Sequence, residues 1–146
     1  MWIAIALVCA LVWRRPLVLA WVLAADVLGD LTAFGLRELI GRPRPSMRYA
    51  SPHTLVRAPT DPSFPSGHTT IAFACAAVLA YFRPRLAPLL FLLAAAIALS
   101  RIYVGVHYPL DVVGGAALGL AIGAGVVGVL LRLDVLPRDV VDTADR

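Results

Sequence analysis

The stretch LDVVGGAALGLAIGAGVVGVLLRL, residues 110–133, carries one acid near its start and one arginine near its end across 24 residues. A helix crosses the hydrocarbon of a bilayer with about 20 apolar residues, range about 17–25. These residues therefore predict a membrane-spanning helix. Four further apolar segments precede it: Met1–Trp13, Pro16 to about Leu36, Ser66–Phe82 and Leu86–Ser100. The second is long enough to span, and the third and fourth lie near the lower limit and are expected to extend by a turn. Met1–Trp13 is short. It has no basic residue ahead of its apolar run and no small-residue cleavage site, so a short or truncated transmembrane helix (residues 1–13) is expected rather than a signal peptide.

Composition agrees. The 146 residues are 60% hydrophobic and 15% charged, with a mean hydropathy of +0.84. A soluble domain is about 45–50% apolar and about 25% charged, so a soluble globule, a disordered chain and a disulfide scaffold are all excluded. Cys9 and Cys75 lie inside apolar runs and read as small buried hydrophobes. The length predicts a single domain, 1–146, and the fold class is an all-α integral membrane bundle of about five transmembrane helices. The net charge of +4 comes from arginine alone, since the chain has no lysine. No basic strip is interleaved with aromatics, so nucleic acid is not an expected partner.

The connections set the topology. Arg14-Arg15-Pro16 and Arg83-Pro84-Arg85 are tight turns, and a tail at 134–146 carries Arg138 and Arg146 among four aspartates. Five alternating crossings place both turns and the tail on one side, which the positive-inside rule makes cytoplasmic. The other side then holds a polar loop, 37–65, and the stretch Arg101–Tyr108. That side also carries Arg37, Arg42, Arg44, Arg48, Arg57 and Arg101, so the orientation holds only if these arginines have a separate task. A loop beyond about 12–15 residues usually has a function or is disordered.

Three polar stretches emerge on that same face: Arg37-Glu38-Leu39-Ile40-Gly41-Arg42-Pro43-Arg44-Pro45, Pro65-Ser66-Gly67-His68, and Ser100-Arg101 running on to His107-Tyr108-Pro109-Leu110-Asp111. Arginine forks match phosphate oxygens bidentately. Ser66, Gly67 and His68 stand where a helix begins, and helix starts attract anions. Together these describe a phosphate pocket at a membrane surface. His107 precedes Asp111 by one helical turn, so the carboxylate is expected to accept a hydrogen bond from the imidazole, fix its tautomer and leave the other nitrogen as a nucleophile. His68 is placed to protonate the departing oxygen. A basic pocket lowers the pKa of both histidines, and a bound phosphate dianion offsets this, so His68 charges only in the complex.

The sequence resembles the type 2 phosphatidic acid phosphatase superfamily of lipid phosphate phosphatases, which shares its active-site motifs with vanadium haloperoxidases. The family pattern is K-x6-R-P, P-S-G-H and S-R-x5-H-x3-D. The second and third motifs match fully at Pro65–His68 and Ser100–Asp111, whereas Arg37 occupies the lysine position ahead of Arg44-Pro45. The resemblance covers about residues 16–132. It implies His107 as nucleophile through a phosphohistidine, Asp111 as its orienting acid and His68 as general acid. It further implies that Arg37, Arg44, Ser66, Gly67 and Arg101 hold the phosphoryl group. Ser100 and Pro65 match motif positions, and Arg42 is a further candidate contact. No metal and no cofactor are implied. Membrane members usually have six spanning helices with the catalytic face outside, so the first of six is expected to be absent here.

The remaining residues have plainer readings. His53 matches no motif position, and Arg48 and Arg57 read as solvated or near headgroups. Asp26 and Asp30 share one face of the second helix; intramembrane acids usually face the bundle interior or water, so they either support the arginines or pair with another helix. Gly115, Gly119 and Gly123 form a small-residue stripe that packs within the bundle or joins a homodimer, the first being the simpler reading. Trp13, Tyr103 and Tyr108 suit the membrane interface.

The expected function is hydrolysis of a phosphate or diphosphate on a lipid, foremost an undecaprenyl-type polyprenyl diphosphate or phosphate. Phosphatidate or phosphatidylglycerol phosphate is the alternative substrate. Lipid-phosphate binding or transport is the alternative of another class, against which no inverted repeat is visible. A structural subunit would not need the His–Asp pair, and a metal hydrolase lacks a histidine spacing such as H-E-x-x-H. A multi-pass cell-membrane location with an outward-facing site follows from the same topology.

Overall fold

A computed structural model describes residues 1–49, 54–56 and 59–133. The readings made for His53, Arg57 and the tail 134–146 lie outside the described residues. The regular elements, in order, are α1 (Trp2–Val12), α2 (Pro16–Ile40), α3 (Pro45–Arg48), α4 (Gly67–Phe82), α5 (Ala87–Tyr103) and α6 (Pro109–Arg132), with a 3-10 turn at Pro84–Leu86 leading into α5. All are helical, and five of the six match the five apolar segments. The short α3 leaves no trace in the hydropathy pattern.

Local chemistry sets the boundaries. Pro16, Pro88 and Pro109 sit in the first turns of α2, α5 and α6, where a missing N–H costs nothing. α2 runs one turn past its apolar run to Ile40, so Arg37 and Glu38 lie on the helix rather than in the loop. It ends at Gly41, whose φ of +63° is the left-handed cap and whose N–H donates to the Arg37 carbonyl, a conformation glycine adopts without a Cβ penalty. α5 gains its expected extra turn at Tyr103. α4 does not, and keeps 16 residues, about 24 Å of helix. Pro65 and Ser66 precede it, and Arg83 is driven out of the helical region by Pro84, at φ −145°.

Three runs, Pro16–Arg48, Pro84–Tyr103 and Pro109–Arg132, are long and apolar enough to cross a membrane, and α1 and α4 are shorter apolar helices. The outer faces carry Leu7, Leu11, Leu28, Leu31, Leu89, Leu92 and Leu120, all exposed. Apolar cover on that scale fits lipid, not water. The chain is a multi-pass membrane protein.

α4 is the hub, packed between α2, α5 and α6, with most of its residues buried. Lipid tails are as apolar as leucine, so helices in a bilayer hold together by close packing of small residues. The α6 stripe does this against α4. A Cβ on Gly115 would lie 2.7 Å from the Ser66 carbonyl oxygen and one on Gly123 2.6 Å from Ala77 Cβ, while one on Gly119 would collide with the Thr70 carbonyl oxygen. The stripe therefore packs within the bundle. On α2, Val18, Val22, Ala25, Gly29 and Ala33 form the inward face, and α1 adds Trp2, Ala6 and Ala10.

Both arginine turns meet at one end. Arg14, Arg15 and Phe82 line one crevice, and the Arg83 guanidinium stands 5.3 Å from the Trp13 ring centre. The three polar stretches converge at the other end, as the parity of crossings requires.

Candidate active site

A cavity of about 440 Å³ opens at that second end. Each polar stretch contributes to its wall: Arg37 and Arg44 from the first, Gly67 and His68 from the second, Arg101 and His107 from the third. Asp30 also lines it. Asp30 lies seven residues below Arg37 on α2, so the cavity reaches about 10 Å down that helix. Asp30 thus shares the cavity with the arginines and lies near enough to His68 to act on it electrostatically, whereas Asp26 lies against Cys75, whose sulfur is 4.0 Å from its carboxylate.

His107 is buried in the turn between α5 and α6. Its Nδ1 is 2.9 Å from the Ser63 carbonyl oxygen, which can only accept, so Nδ1 carries the proton. That leaves Nε2 unprotonated on the cavity side, where it accepts from Arg44 Nη1 at 3.2 Å. The direct imidazole–carboxylate hydrogen bond expected from the sequence is not the one formed: Asp111 Oδ2 is 3.6 Å from Nδ1, and a backbone carbonyl takes the proton instead. The reason lies in what Asp111 already holds. Fully buried, it accepts from Arg42 Nη1 at 2.7 Å and from the Tyr108 N–H at 2.9 Å, and also from the Ser63 hydroxyl. It sets His107 indirectly, by fixing Ser63 and by capping α6, and its charge lies close enough to stabilise an imidazolium.

Burial and the Arg44 guanidinium push His107 well below the ordinary imidazole value, to about 4. The ring is therefore neutral at physiological pH and nucleophilic at Nε2.

Arg44 is buried and held on three sides. Its Nε donates to the Asp61 carbonyl oxygen at 2.7 Å, its Nη2 reaches the Asp61 carboxylate at 3.0 Å and its Nη1 donates to the Val106 carbonyl oxygen at 3.0 Å. Arg37 lies over the start of α4. A side chain at Gly67 would meet its Nη1 and displace the guanidinium, so glycine there leaves Arg37 its place. Arg37 Nε is buried without a hydrogen-bond partner. Arg101 is steadied by Ser100, whose oxygen accepts from Nε at 3.1 Å and Nη2 at 3.0 Å.

Like Asp111 and Ser100, three further sequence candidates are not part of the cavity wall. Ser66 is fully buried. Its N–H donates to the Asp111 carbonyl at 3.0 Å and its hydroxyl oxygen accepts from Thr69 Oγ1 at 3.0 Å, so it ties α4 to α6. Pro65 is buried beside it. Arg42 turns away from the cavity to pair with Asp111 and stack 4.4 Å over the Tyr108 ring. Two residues escaped sequence reading, Asp61 and Ser63. Both precede Pro65-Ser66-Gly67-His68 closely, and adjacency to that motif was their only signal. Among the described residues, no group of three or more His, Cys, Asp or Glu side chains is placed to hold a metal ion.

Comparison with known proteins places this geometry. The chain is 32% identical over 107 residues to the bacitracin transport permease protein BcrC of Bacillus licheniformis, covering 73% of this chain and 53% of the relative. It is 38% identical over 104 residues to the undecaprenyl-diphosphatase of Sulfolobus acidocaldarius, covering 70% and 48%. The chain thus spans about half the length of these curated relatives. Against the decaprenylphosphoryl-5-phosphoribose phosphatase of Mycobacterium tuberculosis it is 36% identical over 126 residues, covering 84% and 68%. The crystal structure of Aquifex aeolicus LpxE superposes with a TM-score of 0.74 at 32% identity, covering 84% of this chain and 73% of that one. The sequence model of the PAP2 superfamily matches residues 15–133, a span that holds every residue of the cavity wall, and the chain belongs to that superfamily.

Proposed function

We propose that the chain hydrolyses a phosphate or diphosphate carried by a lipid, through a phosphohistidine on His107. The observation that carries this is the neutral Nε2 of His107 facing a cavity walled by Arg37, Arg44 and Arg101. In the first step Nε2 bonds to phosphorus as the bond to the leaving oxygen breaks, and His68 gives that oxygen a proton. The three guanidiniums take up charge on the phosphoryl oxygens. The positive charge on the imidazole is met by the Ser63 carbonyl at Nδ1 and by Asp111 beyond it. In the second step water attacks phosphorus, His68 takes its proton, and the phosphorus–nitrogen bond breaks to release orthophosphate.

The substrate we favour is a polyprenyl diphosphate or phosphate. Support comes from the names of the Sulfolobus and Mycobacterium relatives, an undecaprenyl-diphosphatase and a decaprenylphosphoryl-5-phosphoribose phosphatase. Phosphatidylglycerol phosphate is the alternative, since the Bacillus subtilis phosphatidylglycerolphosphate phosphatase superposes with a TM-score of 0.68 at 28% identity, covering 93% of this chain and 69% of that one. The site faces outward in this reading, because the exposed arginine turns at the other end satisfy the positive-inside rule.

The test is phosphate release in detergent micelles with chelator present, comparing wild type with His107→Ala on polyprenyl diphosphate and phosphatidate. Release that survives chelation and vanishes in the variant supports the reading. Release that His107→Ala leaves intact sinks it.

A further inference from the structure

The mechanism leaves two charged side chains of the cavity wall without a task, Asp30 and Asp61, and of these Asp61 is the one paired with arginines. Asp61 reaches in from the loop, its carboxylate 3.0 Å from Arg44 Nη2 and 3.5 Å from Arg37 Nε. It is 43% exposed, while the arginines it faces are 4% and 12% exposed. A carboxylate offers a guanidinium the same pair of oxygens as a phosphate. Asp61 is thus an anion seated on two of the arginines assigned above to the phosphoryl group.

Its partners do not depend on it equally. Arg44 is fixed through backbone carbonyls, those of Asp61 and Val106, so the guanidinium keeps its place when the carboxylate leaves. Arg37 Nε stays without a hydrogen bond even with the carboxylate beside it, so a better-placed acceptor gains there. A phosphate dianion in this position meets the Asp61 charge at close range, and like charges so near each other repel strongly.

We propose that Asp61 is an internal competitor for the phosphate cradle. Its carboxylate pairs with Arg37 and Arg44 in the empty site, turns toward solvent when a phosphoryl group binds, and returns as orthophosphate departs. The consequence is selectivity. Small free anions, which bring no apolar contacts, are held off, whereas a lipid phosphate has its tail to offset the displacement. This rests on the reading of the cavity as a phosphate site.

The experiment is calorimetric titration of the full chain in detergent micelles with inorganic phosphate and with orthovanadate. The proteins are wild type, Asp61→Asn, Asp61→Ser as a second charge-free variant, and Asp61→Glu, each first shown monodisperse. The charge-free variants are expected to bind phosphate about fivefold more tightly, on the scale set by two partly exposed ion pairs, and Asp61→Glu to stay near wild type. Equal or weaker phosphate binding by both charge-free variants overturns the inference, because Asp61 then merely steadies the arginines. Absence of phosphate and vanadate binding in all four proteins overturns the cradle reading itself, and this inference with it.

Discussion

The two ends of the bundle are built from the same cation and use it differently. At one end Arg14, Arg83 and Arg85 are exposed, and Arg83 rests on the Trp13 ring. At the other, Arg44 is 3% exposed and held by two backbone carbonyls and a carboxylate, and Arg42 is held by Asp111. An exposed arginine keeps its hydration and is satisfied by water or headgroups. A buried one needs an acceptor for its fork or it costs several kcal/mol. The acceptors around Arg44 fix its guanidinium in the cavity wall, so it loses little freedom when an anion binds there.

The sharpest break of this contrast is chemical. His107→Ala should lower kcat by about 10⁴-fold or more, the scale for loss of a nucleophile, with no labelled phosphoenzyme after a rapid acid quench. Next, Arg44→Ala should cost about 10²–10³ in kcat, as for loss of one preorganised charge donor. It should also lower thermal stability, since the Val106 and Asp61 carbonyls lose their donor. Arg83→Ala at the opposite end should change kcat/KM by less than about twofold and stability by less than about 1 kcal/mol, the worth of an exposed cation–π contact. A comparable loss of activity in both arginine variants would erase the distinction between the ends.

Acidity gives a finer test. Burial and Arg44 lower the His107 pKa, so Nε2 remains a free base as pH falls, and the acid limb of kcat/KM that belongs to it should lie near pH 4 rather than 6.5. Arg44→Gln removes a positive neighbour and should move that limb upward. The same shift acts on stability. The unfolded chain takes up this proton near pH 6.5 and the folded chain only near 4, so stability should fall across that interval as pH is lowered. The smallest effect concerns packing. Gly119→Ala should cost about 1–3 kcal/mol by overpacking against α4, measured by thermal unfolding in detergent, while Gly125→Ala, whose Cβ meets nothing within 4 Å, should be neutral.

Much of the site was legible because its spacing is local. His107 and Asp111 are one turn apart, and Pro65–His68 opens a helix, so sequence alone could place each fragment at a helix end. Parity of apolar segments then brought the fragments to one face. What stayed hidden depended on contacts between fragments far apart in sequence. The partner of His107 Nδ1 is a backbone carbonyl 44 positions away, which no side-chain pattern encodes. Arg42 and Arg44 sit two residues apart, yet Arg44 lines the cavity and Arg42 pairs with Asp111 outside its wall, a division that depends on partners far away in sequence. Asp61 gave no signal, since an aspartate in a polar loop is ordinary until the fold sets it against two guanidiniums.

Hydropathy and spacing determined the membrane bundle, its apolar helices and the placement of His68 and His107 at helix starts on one face, because these follow from segment length and from neighbours within one turn. Only the tertiary structure decided which arginines face the cavity, which one supports Asp111 instead, and what holds His107 in its tautomer. Those outcomes turn on which buried donor meets which acceptor, and a chain satisfies its buried polar groups only once distant segments have packed.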